Sequence, residues 1–188
     1  FIGSAALAAA TVTIVPRHVL GGPGYKSPSD KLNIACIGVG GKGRSDTMGV
    51  QGENIVALCD VDDAKMADFK NRIKDDSDAM KWFEKARKYK DFRKMLTEMD
   101  KDIDAVTVST PDHTHAVAAM MAIKMKKHAF VQKPLTHTVQ EARALAAEAK
   151  KQGVATQMGN QGHAGEGARL INEWISDGAV GDVTEVHC

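Results

Sequence analysis

Charge of one sign is what this chain most clearly lacks: 25 Lys and Arg stand against 24 Asp and Glu, a net charge of +1 over 188 residues. A nucleic-acid or anionic-membrane partner would call for a basic excess that is not there. Aromatic residues make up only 5%, and Pro (5) and Cys (3) are scarce. With 43% hydrophobic and 26% charged residues, the composition excludes a disordered chain, a collagen-like repeat and a disulfide scaffold. The three cysteines have no metal-ligand spacing around them: Cys36 and Cys59 lie inside apolar runs and read as small buried thiols, and Cys188 is the last residue. No metal site is expected.

Long hydrophobic runs are missing too. The longest uncharged stretch, Phe1 to Val15, is shorter than the ~20 residues a membrane-spanning helix needs. Rich in Ala and followed by Pro16-Arg17-His18, it reads as the apolar core of an export signal whose positive leader is not in the sequence. Phe-Ile-Gly before the Ala-rich stretch resembles the segment just after the arginine pair of a twin-arginine signal, which implies a periplasmic or otherwise exported protein. A buried N-terminal helix and a cytoplasmic location are the alternative. Gly21 to Ser29 is broken by Gly and Pro and reads as a linker or arm, so residues 1–30 are taken as signal remnant and arm.

From Lys31 onward short apolar runs alternate with helical stretches. Strands are expected at 32–37, 54–59, 103–109, 129–131 and 154–158, and helices at 41–51, 113–126 and from 138 to about 151. Thr138 and Glu141 form a capping-box pattern, and Gly153 closes that helix. Residues 60–104 hold 25 of the 49 charges with signs interleaved, and read as solvated helix faces. Val117, Met120, Met121 and Met125 read as the side of a helix lying on a sheet. The pattern predicts an α/β fold, a doubly wound parallel sheet of Rossmann type over 31–160, with a second α/β domain beginning over 161–188. In such sheets ligands gather at the carboxyl ends of the strands.

The first strand ends in Gly38-Val39-Gly40-Gly41-Lys42-Gly43, a G-x-G-x-x-G, and Asp60 ends the second strand 22 residues after Gly38. In that setting the glycines permit a tight turn, close approach of a pyrophosphate and close packing of a helix, and Asp60 suits the adenosine ribose hydroxyls. A carboxylate there favours NAD over NADP; Lys42 and Arg44 keep NADP in view. The end of the 103–109 strand, Ser109-Thr110-Pro111-Asp112-His113-Thr114-His115, offers hydroxyls and imidazoles. His115 either sits near the cofactor or caps its helix, and two His at i and i+2 without a third ligand do not make a zinc site. Gln132-Lys133-Pro134 places a lysine where it can bond a substrate hydroxyl and help take its proton, with Gln132 and Lys133 also expected against the cofactor. Gly159-Asn160-Gln161-Gly162-His163 forms a polar, flexible loop suited to substrate or nicotinamide, with Asn160 and Gln161 as cofactor contacts and His163 as either a catalytic residue or an exposed loop histidine.

These motifs together resemble the Gfo/Idh/MocA oxidoreductase family over roughly residues 31–188. The resemblance implies hydride transfer between NAD(P) and a sugar, polyol or inositol-like hydroxyl, with Lys133 as the catalytic lysine. Where the family has Glu-Lys-Pro this chain has Gln132, which puts any carboxylate role there in doubt. The family's second domain carries further catalytic groups and often the subunit interface, which implies a homo-oligomer, and 181–188 reads as its first strand. Exported members use an N-terminal arm in assembly. Two other functions stand beside the dehydrogenase: a glycosidase working by transient oxidation and elimination, and a non-catalytic dinucleotide-binding module. The chain as it stands is expected to bind cofactor without useful turnover.

Overall fold

A computed structural model describes residues 26–187. The expected export signal and most of the expected arm lie outside these residues. The chain parts into two units between Lys31 and Leu32. Of the first, the described residues form one 3-10 turn at Pro28–Asp30, with the Ser27 and Ser29 hydroxyls 2.7 Å apart.

From Leu32 onward the periods expected of an α/β chain are obeyed. Six strands, β1 (Asn33–Ile37), β2 (Asn54–Cys59), β3 (Arg87–Tyr89), β4 (Ala105–Val108), β5 (His128–Gln132) and β6 (Thr156–Gly159), form one sheet in the order β3-β2-β1-β4-β5-β6. Every neighbouring pair is parallel. Because side chains alternate across a strand, β1 sends Ala35 and Ile37 to one face and Ile34 and Cys36 to the other. Helices α1 (Lys42–Gly49), α2 (Asp63–Arg72) and α3 (Ser77–Lys85) follow the first two strands. Helices α4 (Phe92–Glu98), α5 (Asp112–Lys124) and α6 (Val139–Gln152) follow β3, β4 and β5. The capping box at Thr138 and Glu141 starts α6, and Gly153, at φ +68°, ends it. Two more helices, α7 (Gln161–Ala164) and α8 (Glu166–Ser176), come after β6.

Register turns the sheet into a positioning device. Ile37 lies opposite both Cys59 and Val108, Val108 opposite Val131, and Gln132 opposite Gly159. The residues that leave the sheet, from Gly38 and Asp60 through Ser109 and Gln132 to Gly159, therefore form one row along its carboxyl edge.

Four expectations need correction. The charged region 60–104 is not only solvated helix: it contains the edge strand β3, whose Arg-Lys-Tyr sequence has no apolar run to betray it and whose charges suit an edge. Lys81 to Lys85 is likewise half core, because Phe83 is buried and meets Phe69 edge-to-face at 5.6 Å. On α5 the small residues Ala118, Ala119 and Ala122 are buried with Ile123, whereas Met120 and Met121 are only partly buried. Alanines let the helix approach the sheet closely. Finally, residues 181–187 form no strand: none of their backbone pairs with the sheet, and an extended segment without a ladder partner has nothing to fix it.

Phe69, fully buried, anchors the α2–α3 side of the core beside Phe83 and Trp82. Phe69→Ala should lower unfolding free energy by about 3–5 kcal/mol in urea denaturation.

Candidate active site

The turn after β1 is built by what its glycines leave out. Gly38 has φ +79°, and a Cβ on it would sit 2.7 Å from the Ser109 carbonyl oxygen. A Cβ on Gly43 would overlap the Gly38 carbonyl and come within 3.2 Å of the Ser109 side chain. Gly41, at φ +50°, faces open space instead. The result is a tight turn, held by Gly38 N–H donating to the Cys59 carbonyl at 2.8 Å, that brings the first turn of α1 to the crevice between β1 and β4. The first N–H groups of a helix lack partners within it and, with the dipole, attract an anion. A cleft of about 450 Å³ opens here, lined by Gly38, Gly40, Gly41, Asp60, Ser109, Thr110 and Pro111 among others.

Asp60 stands at the mouth of β2. Its Oδ2 accepts from the N–H of Val39 at 2.9 Å and of Gly40 at 3.3 Å, and its Oδ1 accepts from Asp62 N–H at 3.0 Å. A carboxylate offers about four acceptor positions, so one is left for a ligand hydroxyl. Neither cation that kept NADP in view points its charge at this cleft: Lys42 pairs with Asp46 at 2.8 Å and Arg44 with Asp68 at 3.2 Å. The basic residue lining the cleft is Lys65, whose side chain lies over Gly40. Cys59, just behind, is no nucleophile: burial, then the neighbouring Asp60 carboxylate, pushes its thiol up to about 12.

At the β5 end, Gln132 is buried, 4% exposed, and its side chain reaches back across the sheet edge. Its Nε2 donates to both carboxylate oxygens of Asp46, at 3.0 and 2.9 Å. Asp46 also accepts from the Ser109 hydroxyl at 2.7 Å, in addition to its pairing with Lys42. The departure from Glu at 132 thus has a physical reason in this chain. A second carboxylate would stand about 3 Å from the first with only the half-exposed Lys42 beside them, and like charges that close disfavour joint ionisation. Gln132 Oε1 accepts from Lys133 N–H at 3.2 Å. Lys133 itself is exposed and, with Asn160, Gln161 and His163, lines a second hollow of about 510 Å³. The loop expected to be flexible there is the short helix α7, which carries Gln161 and His163.

His115 neither caps its helix nor reaches the cleft. It is 1% exposed, with Nε2 at 2.7 Å from the Thr110 carbonyl oxygen and Nδ1 at 2.7 Å from that of Pro134. Its imidazole staples the β4 loop to the segment after Lys133, which follows a cis Lys133–Pro134 bond. The structure therefore brings Gly38, Gly40, Gly41, Asp60, Ser109, Thr110 and Pro111 to one cleft, leaves Lys42 and Gly43 off its lining, and brings Lys133, Asn160, Gln161 and His163 to the next. Two residues escaped the sequence reading: Lys65, and the buried Asp46 that joins the two halves. The signal for Asp46 was its place four residues after Lys42 on α1, an ion-pair spacing.

A larger pocket, about 560 Å³, lies elsewhere, between α5 and α6, lined by Val117, Met120, Met121, Leu145 and neighbours. Convergent polar groups distinguish a working site from a gap between helices, and they stand at the sheet edge.

A parallel sheet in this order, with a glycine turn under a helix N-terminus and an acidic residue closing the next strand, defines a dinucleotide-binding protein of Rossmann type. Residues 32–160 match the family described as "Oxidoreductase family, NAD-binding Rossmann fold". The chain belongs to that family, Gfo/Idh/MocA. Among curated proteins it is 34% identical to a 1,5-anhydro-D-fructose reductase of Ensifer adhaerens over 84 residues, 44% of this chain and 25% of that one. It is 27% identical to an inositol 2-dehydrogenase of Salmonella typhimurium over 139 residues, 73% of this chain and 38% of that one. Of solved structures, scyllo-inositol dehydrogenase of Lactobacillus casei with bound NAD(H) and scyllo-inositol superposes with a TM-score of 0.63 at 19% identity, over 82% of this chain and 43% of that one. The chain spans well under half the length of these relatives.

Gly43→Ala should destabilise the fold by at least about 2 kcal/mol, because the obstacle is backbone. Gly49→Ala, with open space at its Cβ position, should be neutral or stabilise by up to about 1 kcal/mol. Urea denaturation of the two variants side by side checks both.

Proposed function

We propose that this chain is the dinucleotide-binding part of an enzyme that oxidises a carbinol of a sugar, polyol or inositol-like substrate with NAD. The observation that carries the reading is the adjacency of the glycine-turn cleft, closed by Asp60, to the hollow holding Lys133 and His163. In this reading the α1 N-terminus and the Gly40–Lys42 backbone hold the pyrophosphate, and Asp60 takes the adenosine ribose. Thr110, Pro111, Asn160 and Gln161 flank the nicotinamide side. Bound nicotinamide supplies the hydride acceptor. Lys133 Nζ bonds the reacting hydroxyl and helps carry off its proton as the carbinol carbon loses hydride and becomes a carbonyl. His163, on the same hollow, orients the substrate.

NAD is preferred over NADP in this proposal, since Asp60 would face a 2′-phosphate and both Lys42 and Arg44 are paired elsewhere. Residues 161–188 open a second domain that completes the substrate site and the subunit contacts. Export to the periplasm rests on the uncharged, Ala-rich residues 1–15.

Calorimetric titration of this chain should show one NAD site, with NADP at least about tenfold weaker, and Asp60→Ala should cost NAD about tenfold or more, the loss of a charge-assisted bond. Failure to bind either dinucleotide would overturn the reading. In the full-length protein, Lys133→Ala should slow NADH formation by about 10²–10⁴-fold on a panel of cyclitols and sugars, with NAD affinity kept. Release of sugar from a glycoside without net NADH would favour the glycosidase instead.

A further inference from the structure

Asp46 does not line the glycine-turn cleft, yet it is the most heavily bonded carboxylate of the sheet edge. Its side chain is 5% exposed, and Lys42, Ser109 and Gln132 all converge on it. Leaving such a group partnerless would be costly, so its bonds are made with little freedom to rearrange. A carboxylate only accepts. Gln132 must therefore turn its amide nitrogen toward Asp46, and that choice aims Oε1 at the Lys133 N–H. Gly159 makes room for this side chain: a Cβ there would lie 2.8 Å from Gln132 Nε2. The far side of Lys133 is fixed independently, through Pro134 and His115.

We propose that Asp46 is the positioning residue of the reaction centre, a buried charge on the helix under the cofactor cleft that sets the backbone of Lys133 through Gln132. Lys42, half exposed at the start of that helix, pairs with the same carboxylate, but a solvent-exposed contact of that kind contributes little to holding the turn. This rests on the dehydrogenase reading for its consequence in turnover, but not for its geometry.

The test is a charge relocation in the full-length protein, assayed with NAD+ and myo-inositol, together with amide hydrogen exchange at Lys133. Asp46→Asn removes the compulsion on Gln132; exchange at the Lys133 amide should quicken severalfold and kcat fall about tenfold, as misplacement of a reacting group predicts. NAD+ affinity should hold within about twofold. Gln132→Glu alone sets carboxylate against carboxylate and should be the poorer variant. The double variant Asp46→Asn/Gln132→Glu moves the charge across the same contact with the donor and acceptor exchanged, and should recover most of the lost rate and the slow exchange. Unchanged exchange at Lys133 in Asp46→Asn would overturn the proposal, as would a double variant no better than Gln132→Glu. A loss of NAD+ affinity in step with rate would also do so, marking a structural role alone. If the parent protein binds no NAD+, the functional reading fails while the exchange data still decide the role of Asp46.

Discussion

The site depends on three backbones that come closer than any side chain would permit. The end of β1, the start of α1 and the end of β4 meet at Gly38, Gly43 and Ser109, where an added Cβ strikes main-chain carbonyls. That contact aims the α1 N-terminus at the sheet edge, at the point where one connection runs toward β2 and the other toward β5. A helix dipole is worth only about 0.3–1 kcal/mol to a nearby charge, and it fades within a turn. A side chain at Gly38 or Gly43 would push the helix start away from that point. The glycines act by exclusion.

Once α1 is seated this closely, its inner face needs something other than bulk, and the chain has put a charge there. Burying a carboxylate costs several kcal/mol, which only well-placed donors offset. Asp46 has three, from three elements: Lys42 on its own helix, Ser109 after β4 and Gln132 at the end of β5. The Lys42 partner is half exposed and contributes little, so the weight falls on the hydrogen bonds from Ser109 and Gln132. They tie the two hollows of the edge into one arrangement. Gln132 is then not a weakened version of an acidic residue but the neutral donor that a carboxylate on α1 demands.

Most of the sheet could be read from the sequence because its strands are buried on both faces and so appear as unbroken apolar runs, as in Ile34 to Ile37 and Ile55 to Cys59. The edge strand β3 could not, since an edge needs no apolar run and Arg87-Lys88-Tyr89 has none. The glycine turn and Asp60 were legible because spacing along the chain carries their geometry. The roles of Asp46 and His115 were not, because each depends on which residue from a distant strand end faces it, and only register settles that. His115 illustrates the limit: its place in the motif suggested the cofactor, and its two ring nitrogens went to the Thr110 and Pro134 carbonyls.

Size of cavity and presence of chemistry separate cleanly here. The α5–α6 groove is lined by Met120, Met121 and Met125, while the alanines of α5 are buried against the sheet. Such a groove offers dispersion and little direction. The edge clefts are smaller, but each is bordered by backbone N–H groups, a carboxylate or a lysine whose position is fixed from behind by buried bonds. Parallel strands make this inevitable: every β-to-α turn leaves the sheet at the same edge, so residues far apart in sequence gather there without being packed into a core. The helix–helix groove has two charged side chains, Lys124 and Glu141, and Glu141 is engaged in the capping box of α6. The direction of the strands, more than the volume of any hollow, determines where this chain can do chemistry.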